Sequence, residues 1–318
     1  MNQLIIPLSV PLKKRTEYRK NLRCATANSG HLLLFAGDQK VEHLNADFVG
    51  PNVTPADASP EHLFQIAAAA PIGVFATQLG LISRYGAKYS KVPYLVKTNG
   101  RSNLYKKYSK VSNEAWWSVA DVINFKEQSG LNILGVGYTI YLGGQDEDRM
   151  LKEAAQLVKD AHTHGLLAVI WMYPRGEKIN ENAIKTIAGG AGVAAALGAD
   201  FVKTKYPYSK TPAATAKKFK EVVLAAGETK IICVGGSQQK AEDLLKQAWE
   251  QVNTAQAGGM AVGRNLHQRP LDEAVRLATA LALIINHEAT LAEALAVYRG
   301  KKKIKTQKNK SSKFLGLF

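Results

Sequence analysis

The stretch Gly198-Ala-Asp-Phe-Val-Lys-Thr-Lys-Tyr-Pro207 decides how the rest of the chain is interpreted. It predicts a short buried strand at Phe201 and Val202 that ends at Lys203. Alternation along a strand places Lys203 and Lys205 on the same side. Two ammonium groups in a half-buried cleft repel each other, and burial also disfavours the charged amine. The stretch therefore indicates a neutral lysine that can form a Schiff base with a carbonyl compound. The alternative is a pair of surface lysines at a strand end.

Short apolar runs alternate with segments of helical periodicity along the whole chain. The predicted strands are 32–37, 73–77, 94–97, 132–139, 167–172, 200–204, 230–234 and 259–262, and the predicted helices include 150–162, 181–197, 213–225, 241–252 and 271–284. Near-continuous apolar strands are typical of parallel sheets that are covered on both faces. Eight such strands in about 250 residues favour an α/β fold, the (β/α)8 TIM barrel. No dinucleotide fingerprint opens the first unit, so an open nucleotide-binding sheet is the weaker interpretation.

Three segments lie outside this alternation. Residues 12–27 predict an added helix that closes the bottom of the barrel. Residues 100–118, after the third strand, form a polar and aromatic insert that we interpret as a lid or a subunit contact. Residues 1–298 then form a single predicted domain and 299–318 a separate tail. The tail holds one arginine, seven lysines and no acidic residue, which is half of the net charge of +16.

The composition of the tail predicts disorder, because it is polar, low in complexity and of one charge sign. Such a tail can contact nucleic acid or an acidic membrane. A solvated extension without a partner is the alternative. The other half of the positive charge is spread over the body of the chain and suits an anionic, phosphorylated substrate.

The overall composition excludes several classes of protein. With 46% hydrophobic residues in 318, the chain supports one large core. Its two cysteines, Cys24 and Cys233, give no disulfide framework, and Cys233 lies in an apolar run typical of a core. The N-terminus lacks the pattern of a signal peptide, and no apolar run approaches the ~20 residues of a membrane span. We expect a cytoplasmic protein.

Polar residues follow the predicted strands at the ends where barrel enzymes carry out their chemistry. In chain order these ends are Gly37-Asp-Gln-Lys-Val-Glu-His43, Lys97, Trp171-Met-Tyr-Pro-Arg-Gly176, Lys203, Gly235-Gly-Ser237 and Gly263-Arg-Asn265. Because these segments are far apart in sequence and meet at one mouth, they predict a catalytic site.

The last two strand ends predict a phosphate site, formed by Gly235, Gly236 and Ser237 after the seventh strand and by Gly263 and Arg264 after the eighth. Short glycine loops that lead into helix N-termini expose backbone N–H groups to an anion. The planar guanidinium of Arg264 matches a phosphate. Each loop alone is also a common turn, but two of them in register favour phosphate binding.

The remaining candidate side chains at the mouth each have two interpretations. Asp38 can assist the reactive amine and move protons, or it can cap a helix or pair with Lys40. Tyr173 can donate and accept a proton beside a lysine-derived cation, or it can be a core tyrosine. Trp171 can shape the pocket or pack the barrel. His43 and, from the first stretch, Lys205 are candidate substrate contacts or ordinary surface residues. Because His, Cys, Asp and Glu do not cluster at metal-ligand spacing, we expect no metal and no other cofactor.

These motifs resemble those of the archaeal-type class I fructose-bisphosphate aldolases, which belong with the deoxyribose-phosphate aldolase-like barrels. The resemblance covers about residues 28–285 and supplies motifs at five strand ends in the right order. It implies that Lys203 forms the Schiff base and that Tyr173 transfers protons at the cleaved bond, with Trp171 beside it. It also implies that Asp38 assists the amine and that the two glycine loops with Arg264 hold a phosphate.

The activity implied by the resemblance is reversible cleavage of fructose 1,6-bisphosphate, in glycolysis and gluconeogenesis, by a homo-oligomer that is often a decamer. The chain departs from many relatives at Gln39, where they have histidine, and in the insert and the tail. Two alternatives stay open. One is a lysine-dependent aldolase or transaldolase-like enzyme for another sugar phosphate, and the other is a non-catalytic barrel whose tail binds nucleic acid or membrane.

Overall fold

The fold is that of a computed structural model, which describes residues 5–104, 113–176, 178–207 and 212–304. Eight parallel strands follow one another in chain order and close into a single barrel. The strands are β1 Leu32–Ala36, β2 Val74–Gln78, β3 Tyr94–Lys97, β4 Ile133–Leu142, β5 Leu167–Pro174, β6 Phe201–Thr204, β7 Lys230–Val234 and β8 Gly259–Val262. Strands β1 and β8 close the barrel by pairing from Leu32↔Gly259 to Phe35↔Val262. The predicted (β/α)8 barrel is confirmed.

Helices precede the first strand, connect successive strands and follow the last one. They are α1 Arg15–Ala25, α2 Gln39–Glu42, α3 Glu61–Ala69, α4 Leu79–Tyr85, α5 Val119–Ser129, α6 Glu147–Thr163, α7 Ile184–Ala196, α8 Pro212–Ala226, α9 Ala241–Trp249, α10 Arg264–His267, α11 Leu271–Ile285 and α12 Leu291–Tyr298. Helix α5 begins with a capping box in which Ser118 and Asp121 exchange hydrogen bonds, a common signal for a helix start. None of the described helices combines the length and the apolar character that a membrane crossing requires.

Alternation along the strands divides the buried side chains into two cores. Leu95 of β3 and Phe201 of β6 belong to the core inside the barrel. Cys233 of β7 belongs to the core between strands and helices, as its sequence context predicted. Because Lys97 and Lys203 lie two residues beyond Leu95 and Phe201 on the same strands, alternation directs both lysines into the mouth of the barrel.

The bottom of the barrel is closed by α1 and the turn that precedes it, as predicted for residues 12–27. Tyr18, Leu22 and Ala25 of α1 join the core inside the barrel. The side chain of Asn21 donates a hydrogen bond to the carbonyl oxygen of Gly165 at 2.8 Å, which ties the helix to the loop before β5.

Two strands extend further toward the mouth than the sequence predicted. Strands β4 and β5 stay in register up to Leu142↔Pro174, and the Arg175 N–H continues the pattern by donating to the Leu142 carbonyl oxygen at 2.7 Å. Tyr173 therefore lies on a strand, paired with Tyr141, and not on the loop that follows.

The insert and the tail are described only in part. Residues 105–112 and 305–318 lie outside the described residues, so the predicted lid or subunit contact and the predicted disorder stay predictions. The first tail residues continue from α12, because Gly300 ends the helix at φ +71 and the Lys302 ammonium lies 2.8 Å from a Glu293 carboxylate oxygen.

Candidate active site

Two buried lysines lie beside the same tryptophan ring at the mouth of the barrel. Lys203 is 6% exposed and Lys97 is fully buried. The Lys203 Nζ lies 4.9 Å from the centroid of the Trp171 ring, and the Lys97 Nζ lies 5.5 Å from it. Strands β5 and β6 pair Trp171 with Lys203. Gly137 of β4 leaves room for the ring, because a Cβ there would lie 2.3 Å from it. The alternative that Lys203 is a surface residue is wrong.

A buried carboxylate, that of Asp38, follows β1. Asp38 is 3% exposed, and its Oδ2 has no hydrogen-bond partner in the part of the chain that the structure describes. The residue occupies the N-cap position of α2, but its side chain makes no capping hydrogen bond. Lys40 is engaged elsewhere, since its Nζ lies 3.7 Å from the centroid of the Phe48 ring. Neither structural alternative for Asp38 holds, so its carboxylate acts on the charges of the mouth.

The surroundings of Lys203 lower the pKa of its amine. Burial is the largest cause, and the Arg264 guanidinium adds to it, while the nearby carboxyl groups oppose it. The sequence had predicted Lys205 as the repelling neighbour, and this prediction is wrong. Lys205 lies beyond the end of β6, and its Nζ is 3.5 Å from a carboxylate oxygen of Glu181. The positive charge that repels the Lys203 ammonium is that of Arg264, which follows β8.

A second carboxyl group, that of Glu42 at the end of α2, belongs to the same cluster. Burial raises its pKa, and the neighbouring Asp38 carboxylate adds to the effect, while Lys97 and Lys203 act in the opposite direction. The mouth therefore holds two amines and two carboxyl groups. The titrations of groups this close are coupled, so the charge on each of them depends on the charges of the others.

Tyr173 lies at the end of β5 with its ring beside that of Tyr141, at a centroid distance of 6.4 Å. Burial raises the pKa of the Tyr173 phenol well above its usual value, and Glu42 and Asp38 raise it further, while Arg175 opposes them. The Cζ of Arg175 lies 5.5 Å from the centroid of the Tyr173 ring. The phenol is thus neutral in the free protein, and a new positive charge nearby is needed before it can act as a base.

The loops after β7 and β8 are joined by Asn265, which is fully buried. Its Nδ2 donates to the carbonyl oxygens of Gly235 at 3.2 Å and Ser237 at 2.9 Å, and its Oδ1 accepts from the Gln239 N–H at 2.9 Å. Gly236 has φ +73, a conformation that favours glycine. The N–H groups of Gly236 and Ser237 make no hydrogen bond within the described ranges, so they are available to an anion.

The predicted helix N-termini are present after only one of these loops. Helix α10 begins at Arg264, directly after β8 and Gly263, but α9 begins six residues after Gly235. A side chain at Gly263 would displace Gln39, because a Cβ there would lie 2.2 Å from Nε2 of Gln39. Gln39, which the sequence analysis singled out as a departure from the family motif, therefore lies against the loop after β8.

Arg264 and His43 are linked through a residue that the sequence analysis missed. The Nε of Arg264 lies 3.7 Å from Oδ2 of Asp47, and Nδ1 of His43 hydrogen-bonds the same oxygen. Burial acts to raise the pKa of the Asp47 carboxyl, but the hydrogen bond from His43 and, to a smaller extent, the charge of Arg264 bring this pKa below its usual value. His43 thus faces Asp47, and its role as a substrate contact stays a prediction.

Several residues of the mouth had no role assigned from sequence. Lys97 and Glu42 stand in the strand-end motifs, but motifs do not reveal which side chains meet in space. Asn265 and Asp47 act through contacts between loops, for which the sequence carries no spacing signal. Among the residues described, no group of three or more His, Cys, Asp or Glu side chains is placed to hold a metal ion.

A buried amine with adjacent carboxyl groups, on a (β/α)8 frame whose loop after β7 presents free N–H groups, is the arrangement of the lysine-dependent aldolase barrels. The family model for DeoC/LacD family aldolases matches residues 32–269, and the chain belongs to this family. The family resemblance found from the sequence motifs is confirmed.

Curated and structural relatives agree with this assignment. The chain is 51% identical to the fructose-bisphosphate aldolase/6-deoxy-5-ketofructose 1-phosphate synthase of Methanocaldococcus jannaschii, over 94% of this chain and 95% of the relative. It is 37% identical to the class 1 fructose-bisphosphate aldolase of Thermoproteus tenax, over 85% and 95%.

Among solved structures, a fructose-bisphosphate aldolase from Slackia heliotrinireducens is similar, with a TM-score of 0.92, 43% identity and 96% coverage of each chain. An archaeal fructose-1,6-bisphosphate aldolase with its catalytic lysine bound to a carbinolamine intermediate has a TM-score of 0.71 and 34% identity, over 85% of this chain and 99% of that one.

Proposed function

We propose that the chain is a class I fructose-bisphosphate aldolase, which reversibly cleaves fructose 1,6-bisphosphate to dihydroxyacetone phosphate and glyceraldehyde 3-phosphate without a metal ion or other cofactor. The observation that carries the proposal is the amine of Lys203, buried at the end of β6 with a lowered pKa. A neutral amine in this position is a nucleophile for a ketone. The relatives named above are fructose-bisphosphate aldolases, and they share this barrel over most of its length.

Lys203 starts the reaction by attacking the ketone carbon of the substrate. The nitrogen forms a bond to this carbon, the carbonyl oxygen takes a proton, and loss of water leaves an iminium ion that withdraws electrons. We assign the proton transfers of these steps to Asp38, whose Oδ2 has no other partner in the described chain. Trp171 lies against the amine and limits the directions from which the ketone can approach.

Tyr173 removes the proton of the C4 hydroxyl as the C3–C4 bond breaks. The phenol is neutral in the free protein. In this proposal it gives its proton, through Asp38, to the hydroxyl that leaves as water, and the iminium charge on Lys203 stabilises the phenolate that remains. The bond electrons flow to the iminium and give an enamine, and glyceraldehyde 3-phosphate leaves. Protonation of the enamine carbon and hydrolysis of the iminium by water release dihydroxyacetone phosphate and the free lysine.

Phosphate binding at a distance from the reacting bond supplies orientation for these steps. We assign one phosphate to Gly235, Gly236, Ser237, Gly263 and Arg264, the residues of the two loops after β7 and β8. Arg175, at the end of β5, is a cation beside Tyr173 and suits the phosphate at the other end of the substrate. Lys205 and His43 lie nearby but are engaged by carboxylates, so they act as secondary contacts in this proposal.

A second candidate activity follows from one relative. The Methanocaldococcus jannaschii protein is also named a 6-deoxy-5-ketofructose 1-phosphate synthase. An enamine on Lys203 can add to more than one aldehyde, because the aldehyde is held by contacts other than the covalent bond to the lysine. We therefore propose synthesis of a ketose phosphate from another carbonyl acceptor as the alternative use of the same site.

We further propose that the chain forms a homo-oligomer and acts in the cytoplasm, and a decamer stays the predicted number. Leu8 and Leu12, on the segment that covers the bottom of the barrel, are 91% and 80% exposed. Two large apolar side chains this exposed, four residues apart in sequence, support an interface between subunits in this proposal. Light scattering of the native chain and of a Leu8→Ser/Leu12→Ser double variant tests this, and an unchanged mass in the variant contradicts the choice of surface.

For the tail, we propose a salt-dependent contact with nucleic acid or an acidic membrane. Deletion of residues 305–318 would remove four of the basic residues, and we expect binding to either polyanion to weaken at low salt. Equal binding by the full and the truncated chain contradicts the proposal and leaves a solvated extension.

A substrate panel in the presence of EDTA tests the proposed activity. We expect cleavage of fructose 1,6-bisphosphate at a rate that EDTA does not change, and slower turnover of sugars with a single phosphate. Loss of activity that zinc restores contradicts the metal-independent mechanism. Turnover of only a different acceptor pair supports the synthase candidate over the cleavage of fructose 1,6-bisphosphate.

A further inference from the structure

The loop after β7 is bound by the side chain of Arg269, which lies two residues beyond α10 and is 9% exposed. The Nη2 of Arg269 donates to the Gln239 carbonyl oxygen at 2.6 Å, and its Nε donates to the Asn265 carbonyl oxygen at 2.9 Å. The guanidinium therefore bonds both to this loop and to the residue whose side chain joins the loops after β7 and β8.

Arg269 is itself fixed by residues of three helices. Its Nη1 hydrogen-bonds Oε1 of Glu273 on α11, and the hydroxyl of Tyr298 on α12 donates to the same oxygen at 2.9 Å. The Nε2 of His62 on α3 lies 3.1 Å from the Arg269 carbonyl oxygen. Because the guanidinium is planar and rigid, an arginine fixed in this way holds its hydrogen-bond partners in one geometry.

The contacts with Asn265 and Arg269 determine which groups of the loop remain for a ligand. Three carbonyl oxygens of the loop accept hydrogen bonds from these two side chains, namely those of Gly235, Ser237 and Gln239. The N–H groups of Ser237 and of the glycine before it make no hydrogen bond among the residues described. With its carbonyl oxygens engaged by the protein, the loop can present these N–H groups to an anion.

Arg269 and Arg264 differ in the surroundings of their charges. The Arg269 guanidinium is hydrogen-bonded to the Glu273 carboxylate. The Arg264 side chain is 27% exposed, and its Nε lies 3.7 Å from Asp47, which is beyond hydrogen-bond distance. A carboxylate in direct contact offsets most of the attraction of a guanidinium for another anion. Arg269 therefore acts on the loop through hydrogen-bond geometry, whereas Arg264 supplies positive charge.

We propose that Arg269 is a positioning residue that holds the loop after β7 in the conformation that binds a phosphate group of the substrate. This inference rests on the proposed function, which assigns one phosphate to the loops after β7 and β8. It assigns no contact between Arg269 and the phosphate, because Arg269 acts through the carbonyl oxygens of Gln239 and Asn265.

The test compares Arg269→Met with the native chain in three measurements: the KM for fructose 1,6-bisphosphate, the inhibition constant of inorganic phosphate, and kcat per active site counted by borohydride trapping. Loss of the two hydrogen bonds frees the loop, so we expect KM and the inhibition constant to rise about tenfold. The kcat per trapped site should change much less. A purely structural role would instead lower the melting temperature and leave KM and the inhibition constant of the folded protein at their native values.

Two further variants sharpen the comparison. Arg276→Met is the matched control, because Arg276 also pairs with a carboxylate four residues away, that of Asp272, and should leave both constants unchanged. Arg269→Lys keeps the positive charge but loses the planar fork that reaches both carbonyl oxygens. It should raise both constants in the same direction as Arg269→Met, and it provides the test if Arg269→Met does not fold.

The outcomes separate this inference from the proposed function. Phosphate inhibition that is unchanged in both Arg264→Met and Arg269→Met would contradict the assignment of the phosphate to these loops, and this inference with it. Weaker inhibition in Arg264→Met, with native constants in Arg269→Met and Arg269→Lys, would overturn the role of Arg269 and leave the proposed function standing.

Discussion

Each end of the barrel buries a carboxylate, and the two carboxylates differ in the hydrogen bonds that they accept. At the bottom, Asp200 accepts hydrogen bonds from the Tyr18 hydroxyl at 2.5 Å and the Ala168 N–H at 2.7 Å, and His162 Nε2 lies 3.2 Å away. At the mouth, Oδ2 of Asp38 has no partner within the described ranges. Both carboxylates are largely shielded from solvent, but only the one at the bottom has hydrogen-bond donors from the protein for both of its oxygens.

This difference indicates what each end is built for. Buried polar groups that are hydrogen-bonded stabilise the fold, whereas unpartnered ones cost free energy unless a ligand completes them. In barrels of this kind the bottom serves stability and the mouth serves chemistry. The mouth of this chain also leaves the indole Nε1 of Trp171 without a partner in the part described. Substitutions at the two ends should therefore separate into effects on activity and effects on stability.

The largest expected effect is that of Lys203→Met at the mouth. Without the amine no Schiff base forms, so kcat should fall by about 10³-fold or more. The melting temperature should be unchanged or higher, because a buried amine is replaced by an apolar side chain of similar length. Steady-state kinetics and a thermal melt on the same preparation check both parts. Full turnover in a folded variant would contradict the assignment.

Tyr173→Phe should give the next largest effect, again at the mouth. We expect kcat for cleavage to fall about 10²- to 10⁴-fold, because the proton of the C4 hydroxyl loses its acceptor. Borohydride trapping of dihydroxyacetone phosphate should survive, since it needs only the lysine. Tyr141→Phe is the matched control, because its ring lies beside that of Tyr173, and its loss should be much smaller. Equal losses in the two variants would remove the special role of Tyr173.

Arg264→Met should affect binding more than chemistry. Loss of a guanidinium from a phosphate site weakens binding by about 1.5–3 kcal/mol, which is about a 10- to 100-fold rise in KM. Arg276→Met serves as the control, because Arg276 pairs with Asp272 on α11, outside the mouth. Inhibition by inorganic phosphate should weaken in parallel in Arg264→Met. Unchanged KM and phosphate inhibition would place the phosphate elsewhere.

The smallest effect is expected at the bottom, from Tyr18→Phe. The variant removes the hydroxyl that donates to Asp200 and should lower the free energy of unfolding by about 1–2 kcal/mol. Activity should stay at the native level at temperatures where the variant is folded. Denaturant unfolding with parallel assays checks both expectations. A fall in kcat without a fall in stability would break the division between the two ends.

The sequence predicted the barrel and the principal site residues because both follow from local patterns. Alternating strands and helices specify the barrel, and reading the strand ends in order located Asp38, Trp171, Tyr173 and Lys203. The pairing of Lys203 with Lys205 was wrong, because it assumed that β6 continues past Thr204. Where a strand ends depends on its neighbours in the sheet, and short-range alternation does not contain that information.

The contacts across the mouth could not be predicted from the sequence either, because short-range patterns do not show which distant residues become neighbours. Lys97, Glu42 and Asn265 are brought to the site by the closing of the barrel, where Lys97 meets the ring of Trp171 and Asn265 meets the carbonyl oxygen of Gly235, each tens of residues away in sequence. The register of β4 against β5, which moves Tyr173 onto a strand, also depends on this closure. Residue type and spacing along one chain identify candidates, and the barrel decides which of them meet.

The most direct test of the central claim is mass spectrometry of the chain after borohydride treatment with dihydroxyacetone phosphate or fructose 1,6-bisphosphate. The account predicts one reduced adduct, mapped to Lys203, that is absent without ligand and absent in Lys203→Met. A reduced adduct on another lysine, or none in folded protein with either ligand, would contradict the account.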